Sequence, residues 1–310
     1  DRFHQGPIPT EGGRVGIFMR SALRFVFLLI ASLFIVGTAP AGLFAPGGSE
    51  ARAETPAPVI GTVYVFRPMG GRLASPVMDN LAAKIRARGL EADVYNYTNW
   101  LRPAKDAIAR YRAEEWKSPI IVIGHSAGGD SAIRFALWLK RSGVPVNLIV
   151  TLDPTRIAGK VPANVERFVN IYSSVNTLGG GDPEPARDYR GHFASIDLKE
   201  FSVMHRYLPG IAGLQETVVE KIAAVAERPA AVDGPAIQIA YAIPRGEAIV
   251  LWDGGVPVAA AAGDTPASVA AQFGVPAWAI TEINEVDPAR PLPAGKRLTV
   301  PHHFEADASQ

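Results

Sequence analysis

The stretch IIVIGHSAGGDSA, residues 120–132, decides how the chain is read. Four apolar residues, Ile120 to Ile123, have the composition of a strand buried on both faces at the centre of a parallel sheet. A small-residue turn follows, and from Ala127 onward the spacing is helical. Ser126 stands at the turn, with Gly124 and Gly128 two positions to either side. That is the pattern of a nucleophile elbow, in which the serine is held on a sharp strand-to-helix turn and the flanking positions must be small for the backbones to approach. A free serine hydroxyl is a poor nucleophile. It needs a base, a group to orient the base, and donors for the oxyanion. The neighbouring His125 is expected to point away from Ser126 as a packing residue.

The surrounding pattern alternates strands and helices. TVYVF precedes a helix over SPVMDNLAAKIRARG, EADVYNY precedes RPAKDAIARYRAEEW, and the elbow helix is followed by strands in PVNLIVTLD, ERFVNIYSS and FASIDL. LQETVVEKIAAVAERP closes the series as a helix. This predicts an α/β domain over 59–228, a doubly wound and mostly parallel sheet with its active groups at the carboxyl ends of the strands. Asp153, at the end of NLIVTLD, is the candidate acid, with Asp182 and Asp188 in reserve in the next loop. Of the two histidines that follow within the domain, His192 opens a strand and falls at the wrong end of the sheet. His205 lies between the last strand and the last helix and is the candidate base. The oxyanion donors expected are the N–H of Ala127 and one from Met69 or Gly70 in the loop after the first strand.

The bulk numbers bound the alternatives. The 310 residues carry a net charge of +1, with 48% hydrophobic and 20% charged residues. No basic stripe points to nucleic acid. The chain has no cysteine, which removes disulfides, thiolate metal sites and a cysteine nucleophile. No cofactor motif and no spaced metal-ligand set is evident. The adjacent His302 and His303 lack a third ligand and are expected to be solvated.

Residues 1–58 read as a signal peptide or membrane anchor followed by a linker. Met19 is its natural start, Arg20 and Arg24 supply a positive region, and Phe25 to Val36 an apolar run. Ala51-Arg52-Ala53 fits a cleavage pattern, while the uncharged stretch from Phe25 to Ser49 leaves open an inner-membrane anchor within 20–45. Either way the chain is expected to be exported to the periplasm or cell envelope.

A Pro/Ala/Gly-rich stretch at 229–255 reads as a linker to a small unit at 256–303, with 304–310 as a tail. In that unit Asp264 or Thr265 can cap a helix carrying Val269, Ala270 and Phe273, and Gly274 stops it. PAWAITEIN forms a second helix and LPAGKRLTVP a turn and a closing strand, giving strand–helix–helix–strand.

On these residues, GHSAGG, LDP and the late histidine make 59–228 resemble an α/β-hydrolase of the lipase and thioesterase-domain branch. The resemblance implies a Ser126–His205–Asp153 triad and hydrolysis of an ester or thioester through an acyl-enzyme. The loops are short and hold no evident lid insertion, which argues against a long-chain triglyceride lipase. GDT, SVAAQFGV, Asn284 and LPAGKRLTVP make the C-terminal unit resemble a LysM domain, with Pro266 where that family usually has leucine. This implies binding of peptidoglycan or another N-acetylglucosamine-containing glycan by Gly263, Asp264, Thr265 and Pro266 on one side and Ile283, Asn284 and Glu285 on the other. The expected protein is therefore an exported serine esterase, acting on a small acyl ester and tethered to cell-wall glycan. The alternative is a non-catalytic peptidoglycan-binding envelope protein built on a hydrolase-like scaffold.

Overall fold

The computed structural model describes residues 61–74, 76–227 and 237–303. The expected export segment at 20–45, its cleavage pattern at 51–53 and the tail at 304–310 lie outside the described residues.

Seven strands form one sheet: β1 (Thr62–Arg67), β2 (Glu91–Asn96), β3 (Ile120–His125), β4 (Leu148–Leu152), β5 (Arg167–Tyr172), β6 (His192–Asp197) and β7 (Gln238–Ala242). Their order is β2-β1-β3-β4-β5-β6-β7, and every pairing is parallel. The chain leaves β1 towards one edge of the sheet and from β3 onward builds towards the other. The crevice of such a sheet opens where that direction reverses, at the carboxyl ends of β1 and β3. The elbow serine follows β3, so the topology places it at this crevice.

Alternation along each strand sorts the core into two layers. Val63, Val65, Ile121 and Ile123 pack with Leu81 and Ile85 of α2 (Val77–Ala87) and with Val218 and Ile222 of α5 (Leu214–Glu227). Tyr64, Phe66, Ile120 and Val122 face the other way, against Ala104 and Ala107 of α3 (Leu101–Ala113) and Ile133 and Phe135 of α4 (Ala127–Lys140). One short turn, α1 (Gly71–Ala74), lies between β1 and α2. The sheet is thus covered on both faces, and its five inner strands are buried almost throughout, while the edge strands β2 and β7 are partly exposed.

The stretch read as a linker at 229–255 differs from that expectation. Gln238–Ala242 pairs with β6 and extends the parallel sheet. Leu251 and Trp252 are buried in the same core layer as α2 and α5. The small unit follows as β8 (Gly254–Ala259), α6 (Pro266–Phe273), α7 (Ala277–Asn284) and β9 (Arg297–His302), with β8 and β9 antiparallel. It has a core of its own, built on Val269, Ala270, Ile280, Leu298 and Val300. It is also docked on the seven-stranded sheet. The Trp278 ring lies 6.2 Å from Tyr241 of β7 and 5.6 Å from Trp252, and Ala279 is fully buried in the core layer of α2 and α5.

Candidate active site

Ser126 has φ 55° and ψ −128°, outside the favoured regions for a residue with a side chain. The turn is held by Ser126 N–H donating to the Leu152 carbonyl at 3.0 Å and by Gly129 N–H donating to the Ser126 carbonyl at 2.8 Å. The flanking glycines are required by space. A Cβ on Gly124 would sit 2.1 Å from the Gly128 carbonyl oxygen, and one on Gly128 would sit 2.3 Å from that of Phe66. Backbone strain of this kind is characteristic of functional sites.

The structure brings the three expected residues into one hydrogen-bonded line. His205 Nε2 is 2.8 Å from Ser126 Oγ, and its Nδ1 is 2.7 Å from Asp153 Oδ2. Asp153 also has a positive φ, 48°, at the end of β4. It is fully buried, and its carboxylate is saturated with donors. Oδ1 accepts from the Ser173 and Gly180 N–H groups at 3.1 and 2.8 Å, and Oδ2 accepts from Asn176 Nδ2 at 2.7 Å. Burial pushes its pKa up, but the hydrogen bonds from His205, Ser173, Gly180 and Asn176 outweigh burial and hold it below the usual carboxylate range.

The loop after β5 supplies more than reserve acids. Asp182 bonds Ser195, Asn170 and Tyr172, and Asp188 pairs with Lys140. The glycines of TLGGGD make room for the triad. A Cβ on Gly179 would sit 2.3 Å from His205 Nδ1 and 2.5 Å from Asp153 Oδ2. Gly179→Ala is therefore expected to cut the reactivity of Ser126 about 100-fold, the scale of a displacement of about 1 Å at a catalytic group. The rate of labelling by a fluorophosphonate measures this, and an unchanged rate would contradict it.

His192 opens β6 opposite Arg167 in the sheet register, at the amino end of the strands, as expected. Ala127 is the first residue of α4, where a helical N–H has no partner within the helix. Met69 and Gly70 lie in the turn between β1 and α1, closed by Gly71 N–H donating to the Pro68 carbonyl at 3.1 Å. They share the carboxyl edge of the sheet with Ser126.

His125 departs from the sequence reading. Its ring does not point away from the site but packs against the His205 ring, with centroids 4.9 Å apart. Its Nε2–H donates to the His205 carbonyl at 3.1 Å, while Nδ1 is buried without a hydrogen-bond partner. Burial, helped by repulsion from His205, pushes its pKa down to about 4 from 6.5. Such a group binds its proton more readily in the unfolded chain. Stability is therefore complete above pH about 6.5 and is lost as pH falls through the window down to about 4, by on the order of 3 kcal/mol. His192, also lowered by burial, adds in the same direction. Urea unfolding at pH 7.5 and 4.5 measures the loss, and His125→Gln is expected to reduce it; an equal loss in both proteins would contradict the assignment to His125.

In the C-terminal unit, Thr265 and Ser268 form a reciprocal capping box at the start of α6, and Pro266 is buried at the first helical position. Asp264 Oδ2 accepts from the Ala261 N–H at 2.7 Å, and its carbonyl accepts from the Leu292 N–H. The Asn284 amide donates to the Ile280 and Thr299 carbonyls, both at 2.9 Å, and accepts from the Thr299 N–H at 2.6 Å. Ile283 packs towards the core layer of α2 and α5. Gly263 and Glu285 are exposed, and Glu285 ends α7 with φ 49°. Several of the residues expected to bind glycan thus also build the turns of the unit. His303 is not simply solvated: it accepts from Lys221 Nζ at 3.3 Å, and its ring lies 6.3 Å from Trp252.

Residues 261–301 match the LysM domain family, which implies binding of N-acetylglucosamine-containing glycan. No curated protein is significantly similar to the chain in sequence. Among solved structures, one similar to it is from Xanthomonas campestris pv. campestris and is described as a hydrolase of the α/β superfamily. It is 16% identical, the match covers 53% of this chain and 99% of that one, and the TM-score is 0.34.

Proposed function

We propose that the chain is a serine hydrolase that cleaves an ester or thioester through an acyl-enzyme and is held at cell-wall glycan by its LysM domain. The observation that carries this reading is the line from Ser126 Oγ through His205 to the buried Asp153, at 2.8 and 2.7 Å. His205 Nε2 takes the hydroxyl proton as Ser126 Oγ attacks the acyl carbon. It then gives that proton to the leaving oxygen or sulfur, so the bond to the leaving group breaks without releasing a free alkoxide or thiolate. Asp153 fixes the Nδ1–H tautomer of His205 and stabilises the imidazolium that forms. The Ala127 N–H, with a second donor from Met69 or Gly70, receives the oxyanion. Water attacks the acyl-enzyme by the same route in reverse. In this reading residues 20–45 direct export, by a cleaved signal or a retained anchor, and the site works in the cell envelope.

A fluorophosphonate probe tests the catalytic half. It reacts with a serine only where a base and an oxyanion site act together. The expected result is one adduct, mapped to the Ser126 peptide by mass spectrometry. No adduct, or an adduct elsewhere, would overturn the reading. Retention on insoluble peptidoglycan tests the glycan half.

A further inference from the structure

We propose that the rim of the Ser126 site is a lipid-contacting surface, and that the substrate is an acyl ester of an anionic amphiphile presented at a lipid surface. This rests on the serine hydrolase reading and narrows its substrate class.

The exposed apolar residues are not scattered. Among the described residues, eleven large hydrophobic side chains are exposed, and six of them stand on three loops: Met69 and Leu73 after β1, Val175 and Leu178 after β5, Met204 and Tyr207 after β6. Leu73 is fully exposed and Leu178 is 77% exposed. All three strands are parallel, so the three loops share one edge of the sheet. Isolated exposed leucines need no explanation, but a grouping of this kind on one edge marks an interaction surface.

Two of the loops touch the triad and the third touches the elbow. Leu178 precedes Gly179, whose added Cβ would strike His205 Nδ1 and Asp153 Oδ2. Met204 precedes His205 itself. The end of β1, from which Met69 and Leu73 follow, lies against Gly128. The loops that carry the apolar side chains therefore adjoin the triad and the elbow, and Ser126 itself is buried.

Charge selects the occupant. The segments 68–74, 174–181 and 202–213 hold two arginines, Arg72 and Arg206, and no acid. Both arginines are exposed, and the Arg206 guanidinium lies 4.4 Å over the Tyr207 ring. Apolar tips interleaved with arginine are the composition that enters the headgroup region of an anionic lipid surface, with the side chains among the acyl chains and the guanidinium groups at the phosphates. Three loop tips carrying flexible Met and Leu side chains suit a fluid surface better than one rigid complementary face. An ester at the headgroup boundary is then delivered at the depth of Ser126.

The chain has no cysteine, so one introduced thiol is unique. Leu73→Cys and Leu178→Cys, each carrying nitrobenzoxadiazole, are mixed in the full chain with phosphatidylglycerol vesicles. Arg88→Cys, exposed at the far end of α2, is the control. The dye reports only the position that bears it, so any contact made by the apolar run at 25–36 does not register. A blue shift and brightening at 73 and 178 but not at 88 are expected, and both should weaken with phosphatidylcholine alone. Silence at 73 and 178, or an equal response at 88, would overturn the lipid surface; an equal response to both lipids would overturn its anionic character. Fluorophosphonate labelling of the same samples separates the two readings. Intact labelling with silent dyes defeats this inference alone, while a dye response without labelling defeats the catalytic reading and the ester substrate with it.

Discussion

Ser126→Ala is expected to abolish fluorophosphonate labelling, and Asp153→Asn to slow it by about 10⁴-fold while leaving the fold in place. The second effect follows from the donors around the carboxylate. Ser173 N–H, Gly180 N–H, Asn176 Nδ2 and His205 Nδ1 all converge on the two oxygens of Asp153. An asparagine has one acceptor oxygen and one donating NH₂. If the NH₂ faces the backbone N–H groups, two donors oppose it. If it faces His205, the imidazole must put its proton on Nε2 to accept from it, and Nε2 then has no lone pair for the Ser126 proton. The geometry survives while the base is lost. Labelling rates from pH 5 to 9 measure both variants. A rate for Asp153→Asn within tenfold of the parent would show that Asp153 does not set the state of His205.

The sequence carries the elbow openly because steric need and residue type coincide there. Gly124 and Gly128 are glycines because a Cβ at either would overlap a backbone carbonyl. Asp153 and His205 were legible from chain order and strand ends, since a parallel sheet presents all its carboxyl-end loops to one edge. Other parts were hidden for physical reasons. The direction of the His125 ring depends on the strained backbone of the residue after it, which periodicity does not encode. Gly179 looks like any loop glycine until His205 is folded against it. Strand β7 is only five residues long and is flanked by Pro, Ala and Gly. Its place in the sheet comes from pairing with β6 and from the cover of Trp252 and Trp278, both distant interactions. Lys221 reads as one more solvated lysine on a helix, because its partner lies beyond that strand.

That partner leads to the second large effect: Asp253→Ala is expected to destabilise the whole described unit by about 3–5 kcal/mol. Asp253 immediately precedes β8 and is fully buried. Its Oδ2 lies 3.1 Å from Lys221 Nζ of α5 and 3.6 Å from Arg167 Nε at the start of β5. Both cations are nearly buried, with side chains 8% and 1% exposed. Removing the shared carboxylate takes the negative charge from between two nearly buried cations in a medium of low dielectric, which costs far more than the pair gains when intact. The strain falls on the seam between the LysM unit and the seven-stranded sheet, where Trp252 and Trp278 pack against Tyr241. Urea unfolding should therefore move both parts together, with the tryptophan signal and the loss of Ser126 labelling at one shared midpoint. Asp253→Leu combined with Lys221→Met should recover much of the loss, since one charge is withdrawn with the other. A LysM unit that melted alone, leaving labelling intact, would show that the seam is loose. If it is tight, truncation at 250 to remove the glycan-binding unit also strips cover from β7, so labelling lost in that truncation reports on the sheet as well as on the glycan.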